Sequence, residues 1–215
     1  MAEKDVLVVR QLQKQIGPKR ILKDVSFQVT TGELVVITGA NGAGKTTLLR
    51  ILAGLLPKSG GDVLWNTKNL GLDHGKVGYV SHKPMLYENL SVQENLLFFG
   101  RMYGKVSQAR LQELLELVGL WLYRLELVAV LSRGMQQRLA IARALMIDPS
   151  LLLYDEPFTS LDPDGQEILR QVFEQYRRKT IQLVISHELQ HFAGLTIREL
   201  RLEDGHVVQE EGTHA

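Results

Sequence analysis

The chain has 215 residues, 45% of them hydrophobic and 23% charged, with 25 Lys+Arg against 24 Asp+Glu and a formal net charge of +1. That length buries a sizeable core in one globular domain, or one with a small sub-domain, and the composition excludes disordered, collagen-like and mucin-like chains. The balanced charge gives no broad reason to expect nucleic acid as a partner, and the absence of cysteine excludes disulfide scaffolds, thiol catalysis and thiolate metal sites.

In chain order, Val6 to Arg10 and Val25 to Val29 read as short strands on either side of the turn signal Gly17-Pro18, an antiparallel pair. Leu34 to Thr38 is a continuous apolar run, the pattern of a strand buried on both faces, and Thr46 to Leu56 follows as a helix. Val77 to Ser81, Leu151 to Asp155 and Ile181 to Ser186 are further runs of that kind, separated by longer stretches with helical spacing. This alternation predicts an α/β fold with a mainly parallel, doubly wound sheet. Leu90 to Leu131 reads as a helical insertion, with Leu111, Leu114, Leu115 and Val118 at three- and four-residue spacings. Glu199 to Leu202 and His206 to Gln209 flank Asp204-Gly205, a hairpin signal. The first residues carry too short an apolar stretch for a secretory segment, and no run approaches the ~20 apolar residues of a spanning helix. The chain is therefore expected to be soluble, with any membrane-spanning part on another polypeptide.

Gly39-Ala40-Asn41-Gly42-Ala43-Gly44-Lys45-Thr46 fits G-x-x-x-x-G-K-[ST] directly after a predicted buried strand and at the opening of a predicted helix. Its glycines let backbone N–H groups turn inward around phosphates, and the positive helix end adds to the attraction. Lys45 is expected to reach the β/γ-phosphates and the Thr46 hydroxyl to ligate Mg²⁺, with Thr47 completing the nucleotide-binding set. A plain Gly-rich turn before a helix is the blander reading, and eight matched positions in the right context outweigh it.

Leu151-Leu152-Leu153-Tyr154-Asp155-Glu156-Pro157 is an apolar strand ending in two acids, 110 residues after Lys45. An Asp at the carboxyl end of a neighbouring strand holds Mg²⁺ in phosphate-loop sheets, and the next residue faces the γ-phosphate. Asp155 is the metal candidate and Glu156 the water-orienting base; by itself the segment reads equally well as an acidic turn capped by Pro157. Ser186-His187 ends the next buried run, where His187 can meet a γ-phosphate oxygen and the attacking water. His74, His82, His191, His206 and His214 have no metal-ligand spacing to one another.

Leu131-Ser132-Arg133-Gly134-Met135-Gln136-Gln137-Arg138, beginning 24 residues before Asp155, resembles the signature motif of ATP-binding cassette (ABC) proteins. Read alone it is an N-capped helix. With the phosphate loop, Asp155-Glu156, the turn Ser160-Leu161-Asp162 and the switch residue His187, the resemblance covers nearly the whole chain in the family's order. It implies a single cassette over residues 1–215: a P-loop NTPase core with a mainly parallel sheet, an N-terminal antiparallel β sub-domain and a helical sub-domain at about residues 90–131. It further implies that two ATP-binding subunits, identical or not, pack head to tail. Ser132 and the Gly134 N–H, at the start of a helix from Met135 to Met146, would then face the partner's ATP.

Four positions depart from the family pattern. The aromatic that stacks on adenine is Ile16, which exchanges π-stacking for apolar contact at a loss of ~0.5 to 1.5 kcal/mol. The Gln that ligates Mg²⁺ falls on His82, and a protonated His82 would repel that cation, steepening the fall of activity in acid. Arg133 and Met135 replace Gly and Gln of the signature, while Ser132 and Gly134 are intact.

The function so implied is the ATP-hydrolysing subunit of a transporter, on the cytoplasmic face of the inner membrane against integral-membrane permease subunits. Tyr87, Leu90, Phe98 or Phe99 would mark the permease contact, unless they form the insertion's own core. The segment from Ser91 to Gly104, with His82-Lys83-Pro84 after the Tyr79 strand, is similar to cytochrome-maturation haem exporters and related small exporter ATPases. The rival is an ABC-type ATPase acting on DNA or ribosomes. Only 86 positions separate Lys45 from Leu131, with no sustained heptads for a long coiled coil. A GTPase is disfavoured because the nearest string to a guanine motif is Asn66-Thr67-Lys68-Asn69.

Overall fold

The computed structural model describes residues 4–66, 68–69, 77–104 and 106–213. Strands β1 (Val6–Ile16) and β2 (Lys19–Thr30) form a long hairpin, β3 (Leu34–Thr38) leads into helix α1 (Lys45–Leu52), and β4 (Gly60–Trp65), β5 (Lys68–Asn69) and β6 (Val77–Val80) follow. Helices α2 (Val92–Tyr103), α3 (Gln108–Leu117) and α4 (Arg133–Leu145) precede β7 (Leu151–Asp155), α5 (Pro163–Arg177), β8 (Ile181–Ile185), β9 (Ile197–Glu203) and β10 (His206–Thr213).

A four-stranded antiparallel sheet has the order β2-β1-β4-β5, and a six-stranded sheet has the order β10-β9-β3-β8-β7-β6. From β9 to β6 every pairing of the larger sheet is parallel, and β10 pairs antiparallel with β9 as the hairpin predicted at Asp204-Gly205. The continuous apolar strands are explained by two cores, one on each face of this sheet. Val35, Ile37, Leu151, Leu153, Leu183 and Ile185 pack against α1 and the antiparallel sheet. Val36, Leu152, Tyr154 and Val184 alternate with them and pack against α2 to α5.

The predicted elements are found with altered bounds. Both opening strands are longer than read, because the tight turn at Gly17-Pro18 carries their pairing out to Ile16 and Lys19. Helix α1 ends at Leu52 and not at Leu56, since Gly54 takes a left-handed φ of 71°. The signature helix starts at Arg133, two residues earlier than read, because the Ser132 hydroxyl accepts from the Met135 N–H at 3.2 Å. The insertion is helical through α2 and α3 and then becomes two 3-10 turns, Trp121–Tyr123 and Val128–Val130. Ser91 caps α2 in a reciprocal box with Glu94. His74, Thr67 and His214 lie outside the described residues.

Candidate functional site

The phosphate-loop residues join β3 to α1, and their backbone explains their composition. Gly39 has φ 132°, and a Cβ there would meet the Leu202 carbonyl oxygen at 2.0 Å; Gly44 has φ 104°, and its Cβ would meet Leu22 at 2.7 Å. Only glycine fits either position. Ala40, Asn41 and Gly42 are exposed, Ala43 is buried and Thr47 half-buried. Helix α1 has no side-chain cap at Gly44, which leaves its first N–H groups without a side-chain partner beside the hollow of the loop. Into that hollow projects Lys45, only 6% exposed, with Nζ donating to the carbonyls of Gly39 at 2.7 Å and Ala40 at 3.0 Å. Burial pushes the Lys45 ammonium pKa down, against the opposing pull of Glu156 and Asp155.

Asp155 was expected on a strand next to that of the loop; β8 lies between β3 and β7. The residues nevertheless meet, because α1 packs across β7 and β8 and carries Thr46 over the intervening strand. Thr46 Oγ1 donates to Asp155 Oδ1 at 3.0 Å, and the Tyr79 hydroxyl donates to Oδ2 at 3.2 Å. Burial first, and then the Asp155 charge, raise the Tyr79 pKa to about 12, so the phenol remains a donor at neutral pH. Tyr79 is a residue that sequence reasoning missed; its signal was one hydroxyl within an otherwise apolar strand.

Glu156 follows with φ 53°, a left-handed conformation that costs a non-glycine residue ~1 to 2 kcal/mol. The turn lifts its carboxylate off the end of β7 toward two imidazoles. His187 Nε2 lies 3.3 Å from Oε1, and His82 Nδ1 lies 4.0 Å from Oε2. Glu156, Ser186 and His187 open on a cleft of about 540 Å³. Thus Lys45, Thr46, Asp155, Glu156, His187 and His82 converge along the edge of the larger sheet that the carboxyl ends of its parallel strands form. His82, the third expected metal candidate beside Thr46 and Asp155, thus stands next to Glu156 within this group.

The signature segment adjoins these groups at His82, which lines a pocket of about 260 Å³ with Arg133, Gln136 and Ser160. Ser132 is exposed, and a Cβ on Gly134 would sit 3.0 Å from the Ser160 carbonyl oxygen, so the signature abuts the turn Ser160-Leu161-Asp162. Ile16, 53% exposed, stands at the end of β1 beside β2, whose Ile21 and Leu22 abut Gly44.

A family comparison places residues 22–159, more than half of the chain, in the ABC transporter family. The chain belongs to that family. It is 37% identical to the putative hemin import ATP-binding protein HrtA of Staphylococcus epidermidis, over 94% of this chain and 98% of the relative. It is equally identical to the uncharacterized ABC transporter ATP-binding protein YdbJ of Bacillus subtilis, over 98% of this chain and 70% of the relative. Among solved structures, it resembles the dimeric post-hydrolysis cassette MJ0796 bound to ADP and Pi, with TM-score 0.84 and 28% identity over 97% of this chain and 99% of that one. The protein is accordingly an ATP-binding ATPase of the ABC transporter family, of a kind that dimerises and works with membrane components. No helix among the described residues is long and apolar enough to cross a membrane.

A second surface lies on the insertion. Tyr87, Phe98 and Phe99 form a cluster of rings with centroids 4.8 to 5.7 Å apart. Tyr87 and Phe98 are exposed, Leu90 and Phe99 half-buried, so the predicted contact residues are not the insertion's buried core. Beside them a groove of about 170 Å³ is lined by Leu55, Met85, Phe99 and Tyr103.

Proposed function

We propose that the converged edge binds ATP and Mg²⁺ and hydrolyses the γ-phosphate, with a second ATP-binding subunit completing each site. The observation that carries this reading is the 3.0 Å contact of Thr46 Oγ1 with Asp155 Oδ1, beside a glycine loop that holds an ammonium group. A hydroxyl and a carboxylate side by side are hard oxygen donors, the set that suits Mg²⁺. The cation, when bound, neutralises charge on the β- and γ-phosphates.

The chain's own residues do the rest. Loop N–H groups and Lys45 hold the phosphates, and Tyr79 fixes the far oxygen of Asp155. Glu156 takes a proton from water as the water oxygen bonds to Pγ and the bond from Pγ to the β-phosphate oxygen breaks, leaving ADP and phosphate. His187 donates to the γ-phosphate or orients that water from the other side of Glu156. The partner's Ser132 and Gly134 would close over the same phosphates, so hydrolysis loosens the dimer.

The ring cluster at Tyr87, Phe98 and Phe99 is the proposed docking face for integral-membrane permease subunits, with the protein peripheral on the cytoplasmic face of the inner membrane. We leave cargo selection to those subunits: the hemin in the name of HrtA belongs to that protein, and the haem-exporter resemblance rests on residues 82–84 and 91–104. Glu156→Gln tests the central assignment. Turnover is expected to fall by about 10² to 10⁴ while ATP binding persists, leaving an ATP-held dimer in light scattering. Normal turnover by this variant would remove Glu156 from the mechanism.

A further inference from the structure

Arg143 stands in the last turn of α4, 8% exposed, in a run of apolar and small residues. Among the described residues no carboxylate lies within ion-pair distance of it, an arrangement that leaves a buried cation to neutral acceptors. Its acceptors are specific. One terminal nitrogen donates to the Met85 carbonyl, the other to the Tyr79 carbonyl at 2.9 Å, and the guanidinium lies over the Phe99 ring at 5.0 Å from the centroid. Tyr79 and Met85 stand three residues before and three after His82. Among the described residues, no backbone-to-backbone hydrogen bond is made by residues 81–86, and regular pairing resumes only beyond Tyr87, which Asn95 holds at both its N–H and its carbonyl.

We infer that Arg143 is a positioning residue for hydrolysis: by gripping both ends of the loop that carries His82, it sets the imidazole against Glu156. The planar fork is what permits this. Two nitrogens at fixed separation reach two carbonyls while the flat face rests on a ring, and lysine reproduces neither the fork nor the stacking. Burial pushes the guanidinium pKa down from its ordinary value, yet arginine remains charged at any physiological pH, so the grip is permanent. With Phe99, the same side chain lines the groove of Leu55, Met85 and Tyr103.

This inference rests on the reading of Glu156 as the water-handling group. Its test is a double-mutant cycle on ATP turnover by the purified subunit. Arg143→Lys is expected to lower kcat on the order of tenfold with KM for ATP changed less than about twofold, since the phosphate loop is untouched. In a His82→Ala background, Arg143→Lys is expected to have no further effect on kcat. Arg110→Lys is the matched control, because Arg110 also bridges elements, donating to the Leu145 carbonyl and the Tyr176 hydroxyl and to neither end of the His82 loop; it is expected to lower the melting temperature and keep kcat. Should Arg143→Lys not fold, Phe99→Leu removes the ring and leaves both carbonyl bonds, and its kcat loss is expected to vanish in the same His82→Ala background. Losses that multiply with His82→Ala would overturn the role of Arg143 while leaving the hydrolytic reading intact. Normal turnover by Glu156→Gln would instead remove that reading.

Discussion

The phosphate-handling edge and the ring cluster of the insertion are built on opposite principles. At the edge each charged or polar group has a named partner: Lys45 on two carbonyls, Asp155 between Thr46 and Tyr79, Glu156 between two imidazoles. On the insertion, Tyr87, Phe98, Met102 and Tyr103 are large side chains left exposed, and Tyr87 and Phe98 pack ring to ring with Phe99. The first region is preorganised for a small, highly charged ligand and for chemistry that depends on tenths of an ångström. The second offers area, which suits a macromolecular partner whose own side chains complete the packing.

The contrast predicts large penalties for single atoms at the edge. Lys45→Ala removes the one ammonium in the loop and is expected to weaken ATP binding by about 2 to 5 kcal/mol, read by isothermal calorimetry. A loss under about tenfold would show that backbone N–H groups alone hold the triphosphate. Ser132→Arg places bulk and charge on an exposed cap; ATP-dependent dimerisation is expected to disappear while monomer affinity stays within about twofold, and equal loss of both would assign the signature another task. Tyr79→Phe deletes one hydrogen bond to a buried carboxylate, worth about 1.5 to 3 kcal/mol. It should lower the melting temperature by several degrees and raise the Mg²⁺ concentration needed for half-maximal turnover; unchanged values would reduce Tyr79 to a packing residue. The smallest effect is expected at Ile16→Tyr, where a restored ring tightens ATP by ~0.5 to 1.5 kcal/mol if this strand end meets the base. No change in affinity would place the base elsewhere.

How much of this was legible in the sequence follows the same division. The loop from Gly39 to Thr46 is readable because a positive φ and a close backbone approach admit only glycine, and those demands are written at fixed spacing. The buried strands are readable because both faces are covered, which turns alternation into continuous apolar runs. β4 was not read: it opens with Gly60-Gly61, and Gly61, with φ 76°, sits where a Cβ would meet the Gln11 carbonyl oxygen at 2.2 Å, opposite an irregularity in β1. Glycine there serves a close crossing and hides the strand's propensity. α5 carries an unused signal, Asp162 as cap and Pro163 at the first turn before Leu169, Val172, Phe173 and Tyr176. Arg143 was illegible for a different reason, since a lone arginine in a helical run is ordinarily a solvated or snorkelling side chain, and nothing local says that its fork closes on two carbonyls from another element.

The two-sided core has one further consequence. A slip of one residue in β7 would send Leu152 and Tyr154 to the face now filled by Leu151 and Leu153, misfilling both cores together, and would carry Asp155 about 3.3 Å along the strand, past the reach of Thr46. Greasy side chains far from any phosphate thus act as the vernier that keeps the acids aligned, and a mutation deep in either layer can silence catalysis without touching a polar atom.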